Sequence, residues 1–368
     1  ILSAQFILEA GIIEDLYNAV YNLSRGRKGP LAYITVILGA LLGAVCGVGT
    51  ATASSLGKIA VPHLRQHGYN SGYAGAIAAI SGGLSAIIPP SIVIVVYGII
   101  AETSISRMFA GAIIPGIIIV VVYIATIAVI NKITGAKEEA HEFKKIATDK
   151  RRTRISLVFG LIIVAIIFVG IYSGFCTPTE AGALAALVSF IASLVLKKVN
   201  REFIVRAAVE TLRTTTMVMV IIVAAKVLGK YISLSQLARD FIQSLEPLMH
   251  MPQLVLFIFV IIYFIGFMLM DGTAVILMTT PFLLPLVEEM GYDPVWFGIL
   301  VSILLVLGAV TPPVGIDVYA VSGATRISSE SIFKYSFIIA AITTVVIGLI
   351  MIVFPDVALW LPNLLYGA

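Results

Sequence analysis

Charge is scarce in this chain. Acidic and basic residues make up 12% of its 368 positions, about half the share of an ordinary soluble domain. With an apolar content of 60% and a mean hydropathy of +1.06, that scarcity excludes a water-soluble globular fold. Cysteine is scarcer still. Cys46 and Cys176 stand alone, which leaves neither a disulfide framework nor a metal knuckle. His63 and His67 have the i, i+4 spacing of metal ligands, but they fall in a basic surface stretch without a third ligand, so no transition-metal site is expected. No HExxH, Walker or GxSxG pattern is present, which excludes the usual membrane protease and the ATP-driven pump. The small excess of positive charge, +4, sits in connecting loops and gives no reason to expect nucleic acid.

What the chain does have is long apolar runs. Ile113–Ile130, Ile155–Tyr172, Ala181–Leu196, Met217–Leu228, Leu254–Met270 and Phe337–Phe354 each span, or nearly span, a bilayer core. The expectation is an all-α polytopic protein surrounded by membrane lipid. The chain opens on Ile1 in mid-pattern, so a further upstream segment is expected, and no cleavable signal peptide is visible.

The chain also repeats itself. Gly49-Thr50-Ala51, Pro62, Gly68-Tyr69, Gly75 and Pro89-Pro90 recur as Gly272-Thr273-Ala274, Pro285, Gly291-Tyr292, Gly298 and Pro312-Pro313, every pair 223 positions apart. Self-similarity at a fixed offset means two copies of one structural unit. Each copy is an apolar segment broken by small residues, followed by a second broken by Pro-Pro. Matched broken helices in two halves of a membrane protein point to a secondary transporter's binding site.

Loop charge sets the topology. Lys132, Lys137, Lys144, Lys145, Lys150, Arg151, Arg152 and Arg154 make the loop Asn131–Arg154 cytoplasmic by the positive-inside rule. Lys197, Lys198, Arg201 and Arg206 mark the cytoplasm again, so the turn Gly174–Glu180 lies outside. Arg25, Arg27 and Lys28 before the first broken segment, and Arg65 after it, place both its ends inside. In the second copy the corresponding loop carries Glu288-Glu289 and Asp293, and Arg326 and Lys334 bring the chain back. Five crossings, an odd number, then separate two re-entrant hairpins of opposite orientation.

The expected organisation is a scaffold or interfacial segment over 1–30 and a first repeat over 31–130, with a re-entrant hairpin (31–64), a broken helix (71–101) and a span (110–131). A basic cytoplasmic loop (131–154) and scaffold spans with a connecting arm (155–252) lead to a second repeat over 253–368. That repeat holds a hairpin (253–287), a broken helix (294–322) and a final span (334–354). Residues 12–24 and Tyr231–Gln253 read as interfacial helices.

An unsatisfied backbone group in hydrocarbon costs several kcal/mol, so unwound backbone survives only inside protein or beside a wet cavity. Each break exposes carbonyls and hydroxyls, the hard ligands of a sodium-like ion, and half-helix amino ends that suit an anion. The candidate sodium ligands are Thr273, Gly308, Thr311 and Val314 in the second copy. Their counterparts in the first are Thr50, Ser85, Ile88 and Ser91, with Ser54 close by. The alternative is that the small residues only allow kinks and close packing, as in Gly39-xxx-Gly43-xxx-Gly47. Candidates for holding a carboxylate substrate are Asp271, Gly272 and Asp317 with Pro89, Pro90, Pro312, Pro313 and Lys226. Intramembrane ionisable residues are functional candidates by default. Asp271 has Val48 as its first-copy counterpart, which suggests a substrate or gating role. Lys58 and Lys226 either attract the carboxylate or snorkel to an interface. Glu180, in Thr177-Pro178-Thr179-Glu180, is either a capping-box residue or a functional carboxylate.

These residues carry a resemblance. Gly49-Thr50-Ala51-Thr52-Ala53-Ser54-Ser55-Leu56-Gly57, Ile88-Pro89-Pro90-Ser91, Gly111-Ala112-Ile113-Ile114-Pro115-Gly116, Asp271-Gly272-Thr273-Ala274 and Thr311-Pro312-Pro313-Val314-Gly315 resemble the large membrane subunit of TRAP (tripartite ATP-independent periplasmic) transporters along almost the whole chain. The resemblance implies a sodium-driven importer of organic acid anions in a prokaryotic inner membrane, with Na⁺ as coupling ion and no other cofactor. It implies two partners, a small four-helix membrane subunit and a periplasmic substrate-binding protein, and an elevator-like transport domain holding both hairpins. Lys226 departs from the small or polar residue expected there, and Gly266 stands one place farther from Asp271 than usual.

Rival readings are a stand-alone divalent-anion/sodium symporter or arsenite-type permease, and a non-transporting scaffold or respiratory-complex subunit. Spans 113–130 and 155–172 carry no charged residue in their interiors, which counts against a proton-relay subunit. No nucleophile–base pair stands out, so an enzyme is not expected.

Overall fold

The computed structural model describes residues 1–23, 31–134, 149–235 and 251–367. Arg25, Arg27, Lys28, Lys137, Lys144 and Lys145, and residues 236–250 of the expected interfacial segment, lie outside the described residues.

Every described element is helical. Two short helices, α1 (Leu2–Ala10) and α2 (Ile12–Leu23), precede a hairpin of α3 (Leu31–Cys46) and α4 (Gly49–Gln66). Then come α5 (Ser71–Gly83), a 3₁₀ turn (Leu84–Ala86), α6 (Ile92–Ile100) and α7 (Ile105–Thr134). Three long helices follow: α8 (Lys150–Tyr172), α9 (Pro178–Val195) and α10 (Arg201–Ser235). The second copy is the hairpin α11 (Pro252–Leu269) and α12 (Gly272–Glu289), then α13 (Pro294–Gly308), α14 (Ile316–Thr325) and α15 (Ser329–Val353); α16 (Asp356–Tyr366) closes the chain. Among the described residues, seven helices are long and apolar enough to cross a membrane. Tyr231–Ser235, expected to begin an interfacial helix, continues α10.

The sequence explains the boundaries. Asn70 caps α5, its Oδ1 accepting from Gly72 N at 2.9 Å, and Asp293 caps α13 ahead of Pro294 at the first helical position. Thr177 and Glu180 form the reciprocal capping box at the start of α9. The first halves of the broken helices are apolar on all sides, and such helices belong in a core. Gly72–Gly83 of α5 and Val295–Gly308 of α13 are buried throughout. Trp296 is fully buried and donates its indole N–H to Met351 O at 3.0 Å.

The copies pack by one rule applied twice. In each, the broken helix lies against both arms of its own hairpin: α5 on α3 and α4, α13 on α11 and α12. The second arm then crosses to the other copy, α4 onto α14 and α12 onto α6. The relation is isologous, as across a two-fold axis. Outside this centre, α1 packs on α9 and α10, and α8 on α9 and α2. Phe6 stacks on Phe203 with centroids 5.7 Å apart. Arg152 Nε meets Asp15 Oδ2 at 2.8 Å, and the same oxygen accepts from Ser156 Oγ, which ties α2 to α8.

Glycine decides how closely α3 approaches the broken helix. A Cβ on Gly39 would strike the Ser81 carbonyl, and one on Gly47 would strike that of Pro90. At Gly43 a Cβ would come within 2.8 Å of Ser85 Cα. Three glycines at four-residue spacing thus lay backbone on backbone along the whole break. Gly43→Ala is expected to destabilise the protein by about 1–3 kcal/mol through overpacking, read as a lower melting temperature in detergent. Gly182→Ala, which meets nothing within 4 Å, should leave it unchanged or raise it.

Candidate functional site

At the first break, α5 ends at Gly83, a single 3₁₀ turn follows, and Pro89-Pro90 separates it from α6. Ser91 restarts the helix. Its hydroxyl donates to Ala86 O, the last residue of the 3₁₀ turn, and accepts from Ile94 N. Ile88 N donates to Leu84 O at 3.0 Å. Ser85 is fully buried, and its hydroxyl has no hydrogen-bond partner. The tip of the first hairpin rests on this turn: Gly47 adopts a left-handed φ of +65° and lies against Pro90, and a Cβ on Gly49 would sit 3.6 Å from Ala86 Cβ. Thr50 and Ser54 are half-buried on the first turns of α4.

The second break closes more completely on itself. Thr311 is fully buried and donates its hydroxyl to Gly308 O at 2.7 Å. Gly315 N donates to Thr311 O, Asp317 N to Ala309 O, and Ser336 Oγ to Val310 O. Val314 N donates to Met268 O at 3.1 Å, which fastens the second hairpin's tip to its own break. A Cβ on Gly308 would strike Phe267, and one on Gly272 would meet Leu305 at 2.5 Å. Thr273 is half-buried beside them, Pro312 is half-buried and Pro313 exposed. Pro89 is buried and Pro90 half-buried in the first copy.

Thus the structure gathers Thr50, Ser85, Ile88 and Ser91 with Pro89-Pro90 at one break. It gathers Thr273, Gly308, Thr311 and Val314 with Pro312-Pro313 at the other. Asp271 is exposed at the second tip and caps α12, its Oδ1 accepting from Ala274 N at 3.1 Å. Asp317 goes elsewhere. It is 2% exposed, and its Oδ2 faces the first copy, 3.0 Å from where a Cβ on Gly83 would stand and 3.4 Å from one on Gly49. Lys226 is exposed on α10, one residue past Ala225, which packs with Val96 and Leu277; no described contact brings it to either break. Lys58 is exposed and borders a surface cavity of about 510 Å³ together with Arg65 and Gln66. The His63 ring stacks on Tyr21, centroids 4.8 Å apart.

A second cavity, about 330 Å³, lies between the first break and the outer helices. Gly47, Pro90 and Ser91 line one side of it, and Ile167, Thr179 and Thr215 the other. Reading along the chain did not single out Tyr123, which is fully buried with an unpartnered hydroxyl on α7. The available signal was a lone phenol in an otherwise apolar span.

Two helix hairpins, each seated on a broken helix of its own copy and crossing onto the other, define a polytopic membrane transporter subunit. The chain belongs to the tripartite ATP-independent periplasmic transporter family, as a DctM component, with the family model matching residues 1–357. It is similar to the sialic acid TRAP transporter large permease protein SiaM of Vibrio cholerae, 28% identical over 378 residues that cover all of this chain and 85% of that one. The C4-dicarboxylate TRAP transporter large permease protein DctM of Pseudomonas aeruginosa is 29% identical, covering 99% and 84%. The isethionate TRAP transporter permease protein DctMQ of Oleidesulfovibrio alaskensis is 31% identical over 91% of this chain and 52% of its own length. In fold, the chain is similar to the Alcanivorax borkumensis YdaH transporter, with a TM-score of 0.67 at 15% identity over 95% of this chain and 84% of that one.

Ser91 holds the first break through two bonds at once. Ser91→Ala is expected to destabilise the protein by about 1 kcal/mol, within the usual range for a lost N-cap. Ser91→Thr, which keeps the cap, should recover most of the loss when thermal unfolding is followed in detergent.

Proposed function

We propose that this chain is the translocating subunit of a sodium-coupled importer of organic acid anions in a prokaryotic inner membrane. It works with a small four-helix membrane subunit and a periplasmic binding protein that delivers the substrate. The observation that carries the reading is the seating of each hairpin tip on its own break, made twice and locked by crossed packing. Family membership supports the partners, and the relatives' named cargoes, a sialic acid, C4-dicarboxylates and isethionate, support an organic anion as substrate.

In this reading the chain's own residues act in three ways. Hydroxyls and carbonyls at the breaks, from Thr50, Ser54, Ser85, Ile88 and Ser91 and from Thr273, Gly308, Thr311 and Val314, hold sodium ions and draw tip and break together. The amino ends of α4 and α12 then face the substrate carboxylate, where a helix dipole favours negative charge. Gly272 and the two Pro-Pro segments leave room for it, and Asp271 orders the second tip by capping it. The hairpins and broken helices move together as one body past α8, α9 and α10. Moving net charge with the gradient adds about 2.3 kcal/mol per charge per 100 mV.

The test is uptake of radiolabelled organic acids into proteoliposomes holding this chain and its small partner, with and without an inward sodium gradient and the binding protein. Uptake that needs both is expected. Sodium-driven uptake indifferent to the binding protein would instead identify a stand-alone symporter, and no gradient-driven movement of a tightly delivered acid would sink the transport reading. Thr311→Val is expected to raise the sodium concentration for half-maximal uptake roughly tenfold, the effect of about 1.4 kcal/mol at an ion site, while expression stays normal.

A further inference from the structure

The last helix, α16, has one face on the protein and one face bare. Its inner face is Ala358 and Pro362, both buried. A Cβ on Gly111 of α7 would come within 2.9 Å of Ala358 O, 3.5 Å of Pro362 Cγ and 3.4 Å of Ile299 Cγ1 on α13. Two residues a full turn apart on α16 thus rest on one glycine of α7, so α16 crosses that spanning helix instead of running along it. An arginine fastens the same junction. Arg107 Nη2 donates to Asn363 Oδ1 at 2.9 Å and lies 3.7 Å from Asp293 Oδ2, which ties the starts of α7 and α13 to α16.

The outer face presents Trp360 and Leu364, one turn apart and 59% and 66% exposed. The helix carries a single charge, Asp356 in its first turn, so that face offers a soluble protein almost nothing polar to bind. It does continue a surface that belongs to lipid. Val345, Leu349 and Val353 lie exposed at four-residue steps along the spanning helix α15, and Phe354 follows them, exposed, where α15 ends. Loop charge puts that end of α15 on the outer side of the membrane, with the starts of α7 and α13. Tryptophan and tyrosine collect at this level of a bilayer, ring body among the chains and polar edge among the headgroups. Tyr366, at the far end of α16, is exposed as well.

We propose that α16 is a membrane-surface anchor, lying at the headgroup and acyl-chain boundary of the outer leaflet with Trp360 and Leu364 in lipid. Its seat is α7 and α13, so the leaflet holds the body that carries the broken helices, not the outer helices α8, α9 and α10. Lacking lysine and arginine, α16 binds by apolar burial, and anionic headgroups add nothing to its hold.

This inference does not rest on sodium coupling, and its test needs no transport. The chain has two tryptophans, Trp296 and Trp360, and Trp296 is fully buried, so Trp360 is the reporter. The full chain with its small partner is reconstituted into phosphatidylcholine vesicles spin-labelled at the headgroup, high on the acyl chain or near the chain end. Quenching of tryptophan fluorescence by each label is compared with quenching by acrylamide in the water. The Trp360→Phe protein, measured alongside, gives the Trp296 contribution to subtract. Trp360 is expected to be quenched most by the label high on the chain, as for a helix about 5–10 Å into the boundary. That profile should hold when anionic phosphatidylglycerol is mixed in. Gly111→Leu, which unseats α16, should flatten it. Strongest quenching by acrylamide would put the helix in water, and strongest quenching by the chain-end label would put it across the hydrocarbon. Quenching by no label would put it beneath the small subunit. Each of these overturns the anchor. A profile that shifts with anionic lipid overturns the apolar mode of binding, and a Gly111→Leu profile equal to the wild type's overturns the seat.

Discussion

The structure depends on one constraint: inside hydrocarbon, a backbone that leaves the helix must find partners within the protein. Both breaks obey it, and they do so differently. At the second, the freed groups are taken up almost locally, by Thr311, Gly315, Asp317 and Ser336, with one bond from Val314 to the hairpin at Met268. At the first, Ser91 closes the turn through Ala86, and Ser85 is left with nothing. Each break thus leaves one buried side-chain oxygen without a partner, Ser85 Oγ at the first and Asp317 Oδ1 beside the second, and Asp317 Oδ2 faces Gly83 of the first copy.

Symmetry and its breaking carry separate meanings here. The shared parts, glycine at the tip and proline at the break, build the frame: arm on broken helix, second arm on the partner copy. The differing positions carry chemistry. Asp271 replaces Val48 and becomes a cap, Asp317 replaces Ile94 and becomes a buried charge, and Gly308 replaces Ser85 and accepts the Phe267 side chain.

Much of this was legible along the chain. The offset of 223 located both hairpins and both breaks, because copies of one fold keep turn glycines and prolines where the backbone requires them. The capping box at Thr177–Glu180 was readable because it is local chemistry within four residues. What lay beyond reach was the crossing of the copies. Aligning the repeats sets Asp317 beside Ile94, its equivalent, and says nothing of Gly49 and Gly83, its neighbours. Lys226 shows the converse, since its charge drew attention in sequence while the fold leaves it exposed on α10.

The glycine ladder of α3 bears on where motion is possible. Gly39, Gly43 and Gly47 meet Ser81, Ser85 and Pro90 with almost no side chain between them. An interface of bare main chain has no rotamers with which to absorb a small slip. Its registers are discrete, like the teeth of a rack, spaced by about 6 Å for each four-residue step. Hairpin arm and broken helix are therefore geared together: along α3 a shift comes a whole step at a time or not at all.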